Sequence, residues 1–318
     1  MRTVSQLFAA GVTLRNGLYD RGVFKARKLS RPVISIGNLS VGGSGKTPFV
    51  IALGELLQER GISFDVLSRG YGRKAKGIAV VDLEGTPEQF GDEPLLIARK
   101  LQVPVIVGAD RYMAGLMVEK TFHSKLHLLD DGFQHRRLHR DFDIVMLPVA
   151  DLEDAPLPLG RLREPLSSLR RADAVVITGD LAEVAAVRRW IRAPENLWRA
   201  ERELDLDQSS GRAVAFCGIA RAAQFFEQLK SKGIELASTI AFRDHHRYSE
   251  GDIGRLLRLK AEGNAQCFVT TEKDLINLGQ FIGRLQPMNV ARLRMRLHNG
   301  DVTQTILRTL EERCGCRL

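Results

Sequence analysis

The run from Pro32 to Thr47, Pro-Val-Ile-Ser-Ile-Gly-Asn-Leu-Ser-Val-Gly-Gly-Ser-Gly-Lys-Thr, constrains this chain more than any other stretch. Its apolar start predicts a buried strand, a glycine-rich loop follows, and Lys46-Thr47 opens a helix. The apolar residues Phe49, Leu53, Leu56 and Leu57 of that helix fall on one stripe. This order suits a loop that grips phosphate. Ser40, Val41, Gly42, Gly43, Ser44 and Gly45 can turn backbone N–H groups toward an anion, and the helix N-terminus adds the positive end of its dipole. Lys46 then reaches the outer phosphates of a nucleotide, and the Thr47 hydroxyl holds Mg²⁺. The first loop position is ordinarily Gly and is Ser40 here, so the match rests on Gly-Lys-Thr and on glycine density. An ordinary glycine-rich turn is the competing reading. The strand before it and the helix after it favour nucleotide binding.

Further strand-like runs at 63–67, 103–107, 126–129, 143–147 and 174–178 alternate with helical patterns at 46–60, 93–101 and 110–121. That alternation predicts an α/β fold of the P-loop NTPase type, a mostly parallel sheet with helices on both faces. The polar stretch 201–211 reads as a break. A fresh strand at 213–217, helices near 221–231 and 249–262, a strand at 267–270 and a closing helix near 301–312 predict a smaller C-terminal α/β domain. The expected division is an N-terminal basic segment (1–30), a P-loop kinase domain (31–205) and a second domain (206–318) closing over the active site. A cleft between two such domains is where a phosphoryl donor and a bulky acceptor would meet.

The balance of charge narrows the partners. A net charge of +9 implies an anionic partner: nucleic acid, a phosphorylated substrate or a membrane surface. Arg2, Arg15, Arg21, Lys25, Arg27, Lys28 and Arg31 face a single acid, Asp20, in the first segment, and Leu7, Phe8, Leu14 and Leu18 lie on one side of a helix among them. This suits a helix lying in a membrane interface, although a helix packed on its own domain by that apolar face gives the same pattern. The apolar core is too short and broken for a signal peptide, and no run approaches a membrane span. Cys217 and Cys267, inside apolar runs, suit buried thiols in a reducing compartment, and the Cys314-Gly315-Cys316 tail reads as a disordered terminus.

Candidate chemistry follows the loop. Leu126 to Asp131 is a short apolar strand ending in two carboxylates, where a P-loop enzyme needs an acid to orient Mg²⁺; a solvated strand end is the alternative. His135 and His139, at i and i+4, could share a helix face and bind metal, but no third ligand is apparent. Gly91-Asp92-Glu93-Pro94 opens a helix with acids at its positive end, which is also an ordinary cap. Asp244-His245 pairs a carboxylate with an imidazole, and Arg161 and Arg163 place two guanidinium groups in a loop that suits phosphate.

Taken together these segments resemble the tetraacyldisaccharide 4′-kinase family of lipid A biosynthesis. The matching stretches are Gly37 to Pro48, Leu67-Ser68-Arg69-Gly70-Tyr71-Gly72-Arg73, Gly91 to Pro94, Leu129-Asp130-Asp131-Gly132-Phe133-Gln134-His135, Leu162-Arg163-Glu164-Pro165, Asp244-His245 and Thr271-Glu272-Lys273-Asp274. Ser40 is shared by the family pattern. The resemblance implies transfer of the ATP γ-phosphoryl group to the 4′-hydroxyl of a tetraacyl glucosamine disaccharide 1-phosphate, with Mg²⁺. It places the reaction at the cytoplasmic face of a Gram-negative inner membrane, with the protein bound peripherally to an anionic surface. By position it implies Lys46 on the transferring phosphate; Thr47, Asp130, Asp131 and Glu164 at the metal; and Arg69, Tyr71, Gln134, His135 and Arg163 near substrate or phosphate. Asp92 accepts the hydroxyl proton, and His245 is paired to it from the second domain. No obligate protein partner is expected. Two other classes fit less well. A GTPase switch needs Asn-Lys-x-Asp, which Glu272-Lys273-Asp274 does not supply, and a nucleic-acid-binding ATPase needs aromatic platforms among its cations.

Overall fold

The computed structural model describes residues 2–179, 187–206, 211–298 and 301–315. Helix α1 (Arg2–Asp20) precedes β1 (Val33–Asn38), the phosphate loop and α2 (Lys46–Glu59). Next come β2 (Phe64–Ser68), β3 (Ala79–Val80), α3 (Pro87–Phe90), α4 (Asp92–Leu101), β4 (Val105–Val107), α5 (Arg111–Thr121) and β5 (Leu126–Asp130). Strands β6 (Phe142–Pro148) and β7 (Ala174–Thr178) complete a first lobe. Strand β8 (Leu197–Leu206) crosses to a second, built from β9 (Ala213–Cys217), α6 (Ala222–Ser231), β10 (Leu236–Ala241) and α7 (Glu250–Glu262). It ends with β11 (Cys267–Thr271), α8 (Glu272–Leu278) and β12 (Met288–Leu297), after which α9 (Val302–Cys314) closes the chain.

The strands form one sheet of twelve in the order β10-β9-β11-β12-β8-β7-β6-β1-β5-β2-β4-β3. All neighbours are parallel except β12 with β8 and β3 with β4. Strands β1, β5, β6 and β7 are mainly apolar and buried along their whole length, as strands covered by helices on both faces must be. Pairing Ile36 with Asp130 and Leu67 with Leu129 aligns the carboxyl ends of β1, β5 and β2, so loops from all three open on one edge. In an open parallel sheet that edge is where ligands bind.

Two elements depart from expectation. The polar stretch at 201–211 is not a break up to Leu206: it is the second half of β8, with residues 207–210 outside the described set. Glu201, Glu203 and Asp205 lie opposite Arg296, Arg294 and Arg292 of β12, a strand that the sequence reading did not include. Cross-strand opposite charges stabilise such a ladder, and Arg294 reaches Asp205 at 3.1 Å. The closing helix, placed by sequence in the second domain, instead packs on the first lobe. Its Ile306 and Leu310 are fully buried with Phe49, Leu53 and Ile144, each contributing about 1.5–3 kcal/mol of apolar burial. Arg313 ties it to the Asp141 carbonyl and the Asp173 carboxylate. Cys314 is therefore helical rather than a loose tail, and Cys316 lies outside the described residues.

Helix α1 is seated the reverse of an ordinary surface helix. Its buried residues are polar, Ser5 and Asn16, while Val4, Leu7 and Leu14 are 55%, 69% and 63% exposed. Ser5 donates to the Pro156 carbonyl, Arg15 to that of Gln134, and Asn16 to the Glu164 carboxylate. Packing through the apolar face, the alternative allowed by sequence, is not what the chain does. Among the described residues no helix is long and apolar enough to cross a membrane.

Candidate active site

The phosphate loop hangs on β1. Gly42, Gly43 and Gly45 all take positive φ, from 48° to 88°, a region where a side chain is strained, and Gly45 caps α2. Asn38 at the strand end braces the loop: its Nδ2 donates to the Ser40 carbonyl, and its Oδ1 accepts from Lys46 Nζ at 2.9 Å. Ser40, in place of the usual glycine, donates its hydroxyl to the fully buried Asp151 carboxylate at 2.5 Å. Ser44 Oγ is buried with no partner, a donor available to a ligand oxygen. Val41 is exposed, and Thr47 sits at the first turn of α2 beneath the loop.

Facing the loop, Asp130 and Asp131 end β5. Asp131, at φ 51°, turns back to Lys46 at 3.3 Å and Arg163 at 3.0 Å. Burial alone would raise its carboxyl, but those two cations outweigh it and hold the group below the usual range. Asp130 has the opposite environment. Its Oδ2 accepts from Ser68 at 2.9 Å, whereas its buried Oδ1 has no hydrogen-bond partner. Burial first, then Glu93 and Asp131, push it up to about 7. An orphaned carboxylate oxygen at a strand end that faces a phosphate loop, with a threonine opening the helix after that loop, supplies oxygen donors of the kind Mg²⁺ takes together with substrate phosphates. The residues present fit that ion. Among the described residues no cluster of three or more His, Cys, Asp or Glu would hold a metal alone.

The remaining residues expected near substrate divide. Gln134 donates to the Asn38 carbonyl and lies 3.5 Å from Arg163, so both join the loop's support. Tyr71 is exposed, with its ring centre 5.2 Å from that of His245. Arg69 is exposed near Arg111, whose guanidinium is lowered by burial and then by the Arg69 charge. Glu164 does not stand free for a metal: its Oε2 already accepts from Arg171 and from Asn16 of α1, the pairing that a buried carboxylate requires. His135 and His139 do not share a helix. The left-handed Asp131 and the turn at Gly132 prevent one, and His139 pairs with Asp141 instead. His135 is pushed down to about 4 by burial and by Arg111 and Arg140, leaving a neutral ring whose Nε2 is buried and unpartnered.

Across the cleft, the second lobe meets α4. His245 Nδ1 lies 2.9 Å from both oxygens of Asp92, which is 4% exposed. Lys273 Nζ lies 3.4 Å from His245 Nε2 and 3.2 Å from Glu93, and Asn277 donates to Asp92. An ammonium only donates, so in the neutral ring Nε2 accepts and the proton is on Nδ1, toward Asp92. Burial works to raise Asp92, but the His245 hydrogen bond and the Lys273 charge bring it down to about 2. His245 itself sits at φ 56°, a strained backbone of the kind kept at functional sites. Arg111, Lys273 and Asn277 were not singled out from sequence. Only Lys273 carried a signal there, inside Thr271-Glu272-Lys273-Asp274.

Comparison with known proteins supplies the family. The family model for tetraacyldisaccharide-1-P 4′-kinase, LpxK, matches residues 1–311. The tetraacyldisaccharide 4′-kinase of Koribacter versatilis is 48% identical, covering 99% of this chain and 100% of that protein. That of Aquifex aeolicus is 42% identical, over 86% of this chain and 88% of that one. The crystal structure of "apo" form LpxK from Aquifex aeolicus in complex with ATP superposes with a TM-score of 0.77 at 34% identity, over 98% of this chain and 97% of that one. The chain belongs to the tetraacyldisaccharide-1-P 4′-kinase family.

Proposed function

We propose that the protein transfers the γ-phosphoryl group of ATP to the 4′-hydroxyl of a tetraacylated glucosamine disaccharide 1-phosphate, giving the 4′-phosphorylated lipid A precursor, at a membrane surface. The orientation of α1 carries the lipid part of this reading. Its polar face is bonded to Gln134 and Glu164 beside the acid pair, so its exposed leucines lie on the same body as the cleft. A helix held this way can enter the headgroup region with Arg2 and Arg21 at the anionic surface. We place the surface at the cytoplasmic face of the inner membrane of a Gram-negative bacterium, with the protein peripheral.

In this reading the chain positions charge and holds one proton acceptor. Lys46 and the loop amides bind the triphosphate; Thr47, Asp130 and Asp131 would hold Mg²⁺, with Arg163 keeping Asp131 in place, and would thereby supply a charge that neutralises the outer phosphates. Asp92 takes the 4′-hydroxyl proton as the Pγ–O4′ bond forms and the bond from Pγ to the bridging oxygen breaks, its electron pair leaving with ADP. A carboxylate held as low as about 2 is a weak base, but a loose transition state needs the proton removed late, so orientation counts more than basicity. His245 supplies that orientation from the second lobe, and lobe closure would exclude water at the same moment. We propose the divide between P-loop and closing domains at β8, with α9 returning to the first.

The test is label transfer from γ-labelled Mg-ATP to detergent-dispersed tetraacyl disaccharide 1-phosphate, beside the same disaccharide with its acyl chains removed. Label in the lipid and far less in the soluble sugar is expected. Preference for the soluble acceptor would overturn the lipid assignment.

A further inference from the structure

The second lobe brings more to the cleft than His245. Its β9–α6 junction sits on the phosphate loop: a Cβ on Gly42 would meet the Ala220 methyl at 3.5 Å, and one on Gly43 would meet Arg221 at 3.1 Å. Arg202 of β8 donates through Nη2 to the Gly43 carbonyl at 3.1 Å. The same nitrogen lies 3.0 Å from where a Cβ on Gly45 would stand. Two guanidinium groups therefore lean on the glycines of a loop built to hold phosphate.

Neither cation is fully matched. Arg221 Nη2 is 3.6 Å from Asp151, beyond a hydrogen bond, and that carboxylate already holds Arg161 at 2.9 Å and the Ser40 hydroxyl. Arg221 Nη2 and Arg202 Nε are buried with no hydrogen-bond partner. Burial and the neighbouring Arg221 charge push Arg202 down to about 10. Half-buried, crowded cations with unpartnered buried N–H groups cost stability unless an anion arrives between them. The anion this loop is shaped for is a polyphosphate.

We infer that Arg221 is a catalytic residue delivered in cis by the second lobe to the phosphoryl group in transfer, with Arg202 beside it on the nucleotide phosphates. The inference rests on the phosphoryl-transfer reading and assigns its charge. As the bond from Pγ to the bridging oxygen breaks and the bond to O4′ forms, negative charge spreads over the γ oxygens and the departing bridging oxygen. A guanidinium stays protonated throughout, so Arg221 acts as a fixed charge with donors already aimed, while Asp92 takes the proton.

Delivery is coupled to the proton acceptor. The backbone N–H of His245 donates to the Gly218 carbonyl at 3.1 Å, and Asp274 accepts from the Gly218 N–H at 2.7 Å and from the Tyr248 hydroxyl at 2.8 Å. The segment leading from Gly218 to Arg221 is thus hydrogen-bonded to the loop that presents His245. A movement of this lobe carries the phosphate charge and the imidazole together. The acid at the end of Thr271-Glu272-Lys273-Asp274 is what ties them.

The experiment compares wild type with Arg221→Ala and Arg221→Lys in Mg-ATP-dependent lipid phosphorylation and in binding of a fluorescent ADP with and without fluoroaluminate. Arg221→Ala should lose about 10³-fold in kcat with KM for lipid nearly unchanged, the scale seen for a guanidinium serving this role. Arg221→Lys should recover part, because an ammonium lacks the planar fork, and added guanidinium should raise the activity of the Ala variant alone. In wild type fluoroaluminate should tighten ADP binding, and the Ala variant should lose that gain while binding ADP alone as before. Retention of kcat within about threefold would overturn the inference. So would equal loss of ADP and ADP-fluoroaluminate binding, which marks mere damage to the fold. If wild type left the lipid unphosphorylated while the Arg221-dependent gain persisted, the lipid assignment would fail and this one would stand.

Discussion

Replacing Asp92 with Asn keeps the shape of the residue and removes the proton acceptor. Asp92 is 4% exposed and its carboxylate receives His245, Asn277 and the Glu93 amide, so water has little room to substitute for it. General base catalysis contributes about 10²–10⁴ in rate, or about 3–5 kcal/mol of barrier, and kcat should fall by that factor. KM for lipid should change little, because the acyl chains and the 1-phosphate do not depend on this carboxylate. Stability should fall as well. Lowering a carboxyl from 3.8 to about 2 corresponds to about 2 kcal/mol of preference for the charged form in the folded state. The assay is initial-rate label transfer at saturating Mg-ATP, with thermal denaturation beside it. Combining Asp92→Asn with His245→Ala should cost scarcely more than the first change alone, since the imidazole acts only through the carboxylate. A variant that kept kcat within about threefold while losing the expected stability would refute the assignment and leave the pair as a lobe contact only.

Because Asp92 is lowered in the folded protein, its contribution is complete above the unfolded value of 3.8 and is lost as pH falls toward about 2. Wild type should therefore lose about 2 kcal/mol more than Asp92→Asn across that window, read by denaturant melts at each pH. Leu7→Glu with Leu14→Glu should lower co-sedimentation with anionic vesicles more than tenfold, because each exposed leucine offers about 1.5–3 kcal/mol of apolar burial, while melting temperature holds. Unchanged sedimentation would show that this face does not meet lipid. His127 lies fully buried between Asp65 and Glu119, so His127→Ala should cost about 3–5 kcal/mol in urea melts by leaving the Asp65 carboxylate buried without its partner. A cost below about 1 kcal/mol would mean that the carboxylate finds water or another donor.

The first lobe was legible because its strands are short apolar runs separated by helical periodicity and because glycine-lysine-threonine has one common structural use. The helices expected at 110–121 and near 249–262 form within a residue or two of those bounds, and side chains of Asp110 and Ser249 cap them. Strand β8 escaped because acids alternating with apolar residues look like linker until the arginines of β12, far along the chain, are set opposite. The return of α9 to the first lobe is likewise a non-local choice. At the site, the partnership of Asp92 with His245 follows from motif order only through family resemblance, since the residues lie on different lobes. Arg111, Arg202 and Arg221 are ordinary arginines in sequence; only the fold buries Arg111 beside the acid pair and sets the half-buried Arg202 and Arg221 against the phosphate loop. Glu164 shows the reverse: a motif carboxylate that suits a metal by type is bound by Arg171 and the first helix.

Phosphorylation of a lipid acceptor at one hydroxyl is decided by mass and fragmentation analysis of the tetraacyl disaccharide 1-phosphate after incubation with Mg-ATP. One added phosphate is expected, on the 4′ oxygen, matched by ADP formed. ATP consumed with the lipid unchanged, or phosphate on another oxygen, would refute the assignment.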